Sequence, residues 1–175
     1  GIFIMATNLE FIKSASGTSV SSLSVTDCFN ANYDVYFVQV AKSQTSSQAN
    51  LDIRFIDSGG NVISDNEYDY ATLQQNSNTT FGERKSTGQS KISRLVAFGG
   101  SQQKIGGTGY SYVYNPYDSS SYTFTQGASQ VVNGTTFFGD KQIGVHKSAE
   151  QITGIAIVPT SGSTATLTVN VYGVK

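Results

Sequence analysis

Tryptophan is absent from this 175-residue chain, cysteine, methionine and histidine occur once each, and there are only two prolines. A single cysteine, Cys28, excludes an intrachain disulfide and a metal site built from cysteines. Charge is scarce as well: charged residues make up 13% of the chain and the net charge is −1. Nucleic-acid binding draws on a basic stripe that displaces phosphate counterions, and beyond Arg84-Lys85 no cluster of basic residues exists, so no nucleic-acid partner is expected. No apolar run approaches the roughly 20 residues of a membrane helix. Ile2-Phe-Ile-Met-Ala6 is too short for a signal peptide and lacks its basic flank, so no membrane insertion is expected. Met5, followed by Ala6-Thr7, reads as the natural start, which would make Gly1 to Ile4 a tag scar or upstream translation. The sole histidine, His146, has no serine, cysteine or acid that the sequence can assign to it as a triad partner. A surface or packing role is expected for it. With no acid pair, nucleophile-base pair or metal cluster in evidence, the chain reads as a non-enzyme without a cofactor.

What the chain does have is polar neutral residues and glycine. Ser, Thr, Asn and Gln supply more than a third of it, with 18 glycines and 11% aromatics. That composition, with almost no helical periodicity, fits an extracellular or virion β-protein. The length suits one domain, and no proline-rich or charged tract marks a linker, so residues 1–175 are read as a single unit.

Period-2 alternation then places the strands. Leu9 to Lys13 and Ser22 to Thr26 flank a turn region from Ser14 to Ser21. Tyr33 to Ala41 is apolar almost throughout, which predicts a mid-sheet strand covered on both sides. Asn50 to Ile56 alternates, with Leu51, Ile53 and Phe55 opposed to Asp52 and Arg54, and runs into the turn Asp57-Ser-Gly-Gly-Asn61. Glu67 to Gln74 is taken as a strand, whereas Asn76 to Thr80 and Glu83 to Lys91 read as an exposed polar excursion. Ile92 to Phe98 resumes the pattern, a glycine-rich loop spans Gly99 to Gly109, and Tyr110 to Tyr114 ends at Asn115-Pro116. Tyr122 to Thr125, Thr135 to Phe138 and Gln142 to Val145 follow. The last two strands, Ile152 to Val158 and Thr164 to Tyr172, are read as a closing hairpin around Pro159-Thr-Ser-Gly-Ser163. The expected fold is an all-β antiparallel sandwich, jelly-roll-like.

Three stretches carry a family resemblance. They are Tyr68-Asp-Tyr-Ala71, then Tyr112-Val-Tyr-Asn-Pro-Tyr117 with Ser119-Ser-Ser-Tyr-Thr-Phe124, and the ending Ile152-Thr-Gly-Ile155 to Val171-Tyr-Gly-Val174. In this order they resemble bacteriophage virion structural proteins, of the tail-fibre and appendage type, whose terminal tetrad is closer to Leu-Tyr-Gly-Ile. The resemblance covers about the last two thirds of the chain. It implies a jelly-roll virion module with no catalytic residue, located in the phage particle. Its partners would be other virion proteins and copies of itself, a trimer being common among fibres, with a host-surface glycan as receptor. A capsid decoration or cement protein and a bacterial lectin-like carbohydrate-binding module are the alternatives.

Two residue sets are candidate sites. Tyr110, Tyr112 and Tyr114 share one strand face, with Tyr117 and Tyr122 near in sequence. Tyrosine rings stack on sugar C–H faces while their hydroxyls bond, so the set forms a possible glycan platform; packing against the other sheet or a second subunit is the competing role. Asp65, Glu67 and Asp69 have the spacing that would put three carboxylates on one strand face, where a hard cation such as calcium could bind; a solvated acidic face is the alternative. Gly106-Gly-Thr-Gly109 lacks the lysine and the following helix of a phosphate loop and reads as flexible. Cys28, with no basic neighbour, reads as a small buried apolar residue. Asn78-Thr-Thr80 and Asn133-Gly-Thr135 spell glycosylation sequons, as chance allows in so Asn- and Thr-rich a chain.

Overall fold

The computed structural model describes residues 8–99, 107–160 and 162–175. The start at Met5, the Gly1 to Ile4 segment and Gly106 lie outside them. Twelve strands and no helix form the described chain. They are β1 (Leu9–Val20), β2 (Leu23–Val25), β3 (Val35–Thr45), β4 (Ala49–Asp57), β5 (Tyr68–Asn76) and β6 (Gly82–Gln89). The second half supplies β7 (Ile92–Gly99), β8 (Gly107–Tyr114), β9 (Thr123–Asn133), β10 (Thr136–His146), β11 (Ile152–Pro159) and β12 (Ala165–Val174).

Two antiparallel sheets pack face to face. The larger runs β1-β12-β3-β8-β9-β10-β5-β6 and the smaller β2-β11-β4-β7. Setting aside the hairpins β5–β6 and β9–β10, the remaining eight strands fall four into each sheet in the order of a jelly roll, changing sheet at every step except β4 to β7. The two hairpins are insertions that pair with each other and lengthen only the larger sheet. The core lies between the sheets, where Tyr36, Val38 and Val40 of β3 and Val169 and Val171 of β12 face Leu51, Ile53 and Phe55 of β4 and Ile155 and Ile157 of β11. Each such aliphatic side chain, fully removed from water, contributes about 1.5–3 kcal/mol before entropy is counted.

Several expectations are corrected. The closing pair is not a hairpin: β11 bonds to β2 and β4 in the smaller sheet, while β12 bonds to β1 and β3 in the larger. β12 alternates as the sequence predicts, whereas Ile155, Ala156 and Ile157 of β11 are all buried, and the chain changes sheets between the two strands. Glu83 to Lys91 is no excursion, because most of it is β6, the polar edge strand on β5. Edge strands tolerate charge on both faces, and charge there blunts pairing with foreign chains. Ser14 to Ser21 is mostly strand too, as β1 continues along β12 to Val20. Within the glycine-rich stretch, Gly107 and Gly109 belong to β8 and face β7. A Cβ on Gly109 would sit 2.3 Å from the Leu95 carbonyl oxygen, so glycine there permits close approach of β7 beneath the larger sheet. Finally, β3 is third in its sheet as expected, yet only one of its faces is covered. Val35, Phe37 and Gln39 on the other face remain half-buried.

Buried charge bridges the two sheets near β7. Between the pairs Ile53↔Ile92 and Leu51↔Val96 the strand β7 carries two extra residues, Ser93 and Arg94, and Arg94 is left-handed at φ 71°. Asp52 holds this bulge. Its Oδ1 accepts from the Arg94 backbone N–H at 2.9 Å and from Ser93 Oγ at 3.1 Å, and Lys91 Nζ lies 2.6 Å from Oδ2. The bulge re-aims the Arg94 side chain at Asp140 of β10, 3.0 Å away on the inner face of the larger sheet. Cys28 is buried as expected, and burial pushes its thiol up to about 12.

Candidate functional site

The uncovered face of the larger sheet follows directly from strand register. Paired residues share a face, so one transverse row can be traced across all eight strands: Phe11, Tyr172, Phe37, Tyr112, Gln126, Ile143, Ala71 and Lys85. Aromatic rings fill the first half of that row. Phe11 meets Tyr172 with centroids 5.7 Å apart, Tyr172 meets Phe37 at 6.1 Å, and Phe37 meets Tyr112 at 5.2 Å. Along β8, Tyr110 and Tyr114 flank Tyr112 at 6.1 and 6.4 Å. Offset and edge-on contacts at these distances stabilise each pair by about 0.5–1.5 kcal/mol, which orders the rings without hiding them.

A groove with two adjoining lobes of about 750 and 820 Å³ lies over β9, β10 and β5, and both lobes contain Ala71, Lys85, Tyr114, Gln126 and Ile143. The tyrosines of β8 form one wall, while Glu83 and Lys85 of β6 stand on the other. Gln126, Ala128 and Lys141 on the floor offer amide, small and cationic surface. Large aliphatic and phenyl groups stay open to solvent there: Ile143 is 59% exposed, Phe124 45% and Leu73 40%. A volume of this size, apolar with a few polar groups, has the character of a ligand site.

Tyr110, Tyr112 and Tyr114 therefore point outward and line the groove together, rather than packing against the opposite sheet. Tyr117 and Tyr122 lie in the β8–β9 connection and line neither lobe. Gln126, Ile143 and Lys85, from β9, β10 and β6, were not among the expected site residues: their only signal is a polar, apolar or basic residue at an outward position, which a solvated strand face also shows.

The acidic trio is not arranged as its spacing suggested. β5 begins at Tyr68, so Asp65 and Glu67 precede the strand and do not share a strand face with Asp69. Asp69 instead accepts from the Gly88 N–H at 2.8 Å and pairs with Lys147 at 2.9 Å, contacts that hold its carboxyl below the ordinary range. Glu67 turns to a different partner. Its Oε2 lies 3.2 Å from His146 Nε2, and Glu150 Oε1 lies 3.7 Å from the same nitrogen.

His146 is neither a surface residue nor simply a packing one. Its side chain is fully buried, with Tyr68 and Phe55 at ring distances of 4.7 and 6.0 Å. Burial pulls its pKa below the usual value, against the opposing pull of Glu150, Glu67 and Asp65. Its Nε2 faces the two carboxylates. No protein-family model matches the chain, and no curated protein matches it.

Proposed function

We propose that this chain is a non-enzymatic virion module of the receptor-binding type, which holds a host-surface glycan in the groove on the outer face of its larger sheet. The observation that carries the reading is the groove itself, with Tyr110, Tyr112 and Tyr114 presenting ring edges and hydroxyls along one wall. Stacked, partly ordered rings lose little entropy on meeting a sugar ring, and Gln126 offers both a donor and an acceptor to hydroxyls. Lys85 and Lys141 favour a sugar bearing a carboxylate. The resemblance of the Tyr112 to Tyr117 and Val171 to Val174 stretches to phage appendage proteins supports the setting, where several weak sites on one particle act by avidity.

The test is a glycan array probed with the full chain, followed by titration of any bound oligosaccharide. Tyr112→Ala is expected to weaken binding about tenfold, equivalent to about 1.4 kcal/mol, with Tyr122→Ala, outside the groove, unchanged. Absence of any bound glycan, or an unaffected Tyr112→Ala, would overturn the glycan reading. Mass spectrometry of purified particles tests the virion setting separately. A purely structural role, as in a decoration protein, is favoured by the exposure of Ile143 and Phe124, which a neighbouring subunit would cover equally well. In that case the chain associates in solution and Ile143→Lys abolishes the association.

A further inference from the structure

The chain's one histidine ends β10 at the end of the β5–β10 pair. Register sets His146 opposite Tyr68, and the Lys147 N–H donates to the Glu67 carbonyl at 2.8 Å, so the backbone fixes Glu67 beside the imidazole. Glu150 arrives from the segment leading into β11, four residues after His146. Three donor atoms from three parts of the chain thus lie within 4.8 Å of one another.

Two features separate this group from an ordinary acidic surface. The His146 side chain is fully buried, and among the described residues neither of its ring nitrogens makes an aligned hydrogen bond, although Nε2 faces both carboxylates. The two spacings from Nε2 are also those of metal ligands. Donors at about 2.0–2.1 Å from a tetrahedral ion stand about 3.3 Å apart, close to the 3.2 and 3.7 Å measured from Nε2.

We propose that Glu67, His146 and Glu150 form a binding site for a divalent transition-metal ion, zinc foremost. An imidazole with two carboxylates suits zinc and its neighbours, whereas calcium and magnesium take oxygen donors alone. The two carboxylates are partly exposed, which leaves a fourth position for water. The ion would join the start of β5, the end of β10 and the approach to β11, a staple between the lengthened part of the larger sheet and the smaller sheet. Among the described residues His146 Nδ1 has no acceptor to brace the ring, so affinity is expected to be roughly ten- to a hundredfold weaker than in a fully braced site.

The experiment uses the full chain, freed of metal with chelator. Zinc chloride titrated by calorimetry should bind once per chain and raise the melting temperature, an effect EDTA reverses and calcium does not reproduce. Because His146→Gln alters a buried position and risks misfolding, Glu67→Gln and Glu150→Gln are the informative variants. Each should remain folded and lose zinc affinity tenfold or more. A folded wild-type chain without zinc-dependent heat or melting shift overturns the proposal. So does undiminished zinc binding in both glutamate variants, which would place the ion elsewhere.

Discussion

Replacing Tyr68 by Phe removes one oxygen atom and tests how the two sheets are joined. Tyr68 projects from β5 of the larger sheet and its ring is fully buried. Its hydroxyl accepts from the Phe55 N–H at 3.1 Å and donates to the Ile63 carbonyl at 3.2 Å. Phe55 belongs to β4, at a point where that strand has run past its last pairing with β7, at Ile53. The tyrosine thus takes the place of a missing ladder partner, and burial accordingly raises its pKa well above the ordinary value. In Tyr68→Phe the Phe55 N–H stays buried without an acceptor, at a cost of about 1–3 kcal/mol, and loss of the second bond adds about 0.5–1.5 kcal/mol. A total near 3 kcal/mol is a large share of a domain stability of about 5–15 kcal/mol. For a chain of this length each kcal/mol moves the melting temperature by about 2–4 °C, so the expected fall is roughly 6–12 °C. Scanning calorimetry measures it, with urea unfolding to verify an unchanged m-value. Tyr122→Phe, at an exposed ring, is the control and should stay within about 0.5 kcal/mol of wild type. A Tyr68→Phe variant that melts with the control would refute the bridging role.

Two further outcomes follow from buried charge. His146 has a folded pKa below its unfolded value near 6.5, so the unfolded chain takes up the proton first. In chelator the His146 contribution is therefore complete above about pH 6.5 and is lost as pH falls through that value toward the folded pKa, by at most about 1.4 kcal/mol per pH unit. Urea midpoints measured across this window should show the decline in wild type and a flatter profile in a folded His146→Gln; identical profiles would contradict it. Asp140→Ala breaks the buried ion pair with the Arg94 guanidinium between the sheets and should destabilise by about 3–5 kcal/mol. Pairing it with Arg94→Met should restore much of that loss, and a strictly additive double variant would show that the two charges act independently.

The division between what was legible in the sequence and what was not follows the range of each cause. Alternation such as Leu167, Val169, Val171 against Thr166, Thr168, Asn170 is local, because successive side chains of a strand point to opposite faces whatever the strand pairs with. The sequence by itself therefore determined the all-β class, most strand positions, the end of β8 at Asn115-Pro116 and the shared face of Tyr110, Tyr112 and Tyr114. Polar strands escaped it, since β6 and the second half of β1 carry no apolar face to read. Partner choice is non-local. Nothing in Ile152 to Tyr172 tells that β11 and β12 part into different sheets, because that depends on strands from the first third of the chain. The same pairing decides which outward residues become neighbours, and so tertiary structure alone drew Gln126, Ile143 and Lys85 to the tyrosines. It also took Glu67 out of its supposed row with Asp65 and Asp69 and set it, with Glu150, against the one buried histidine.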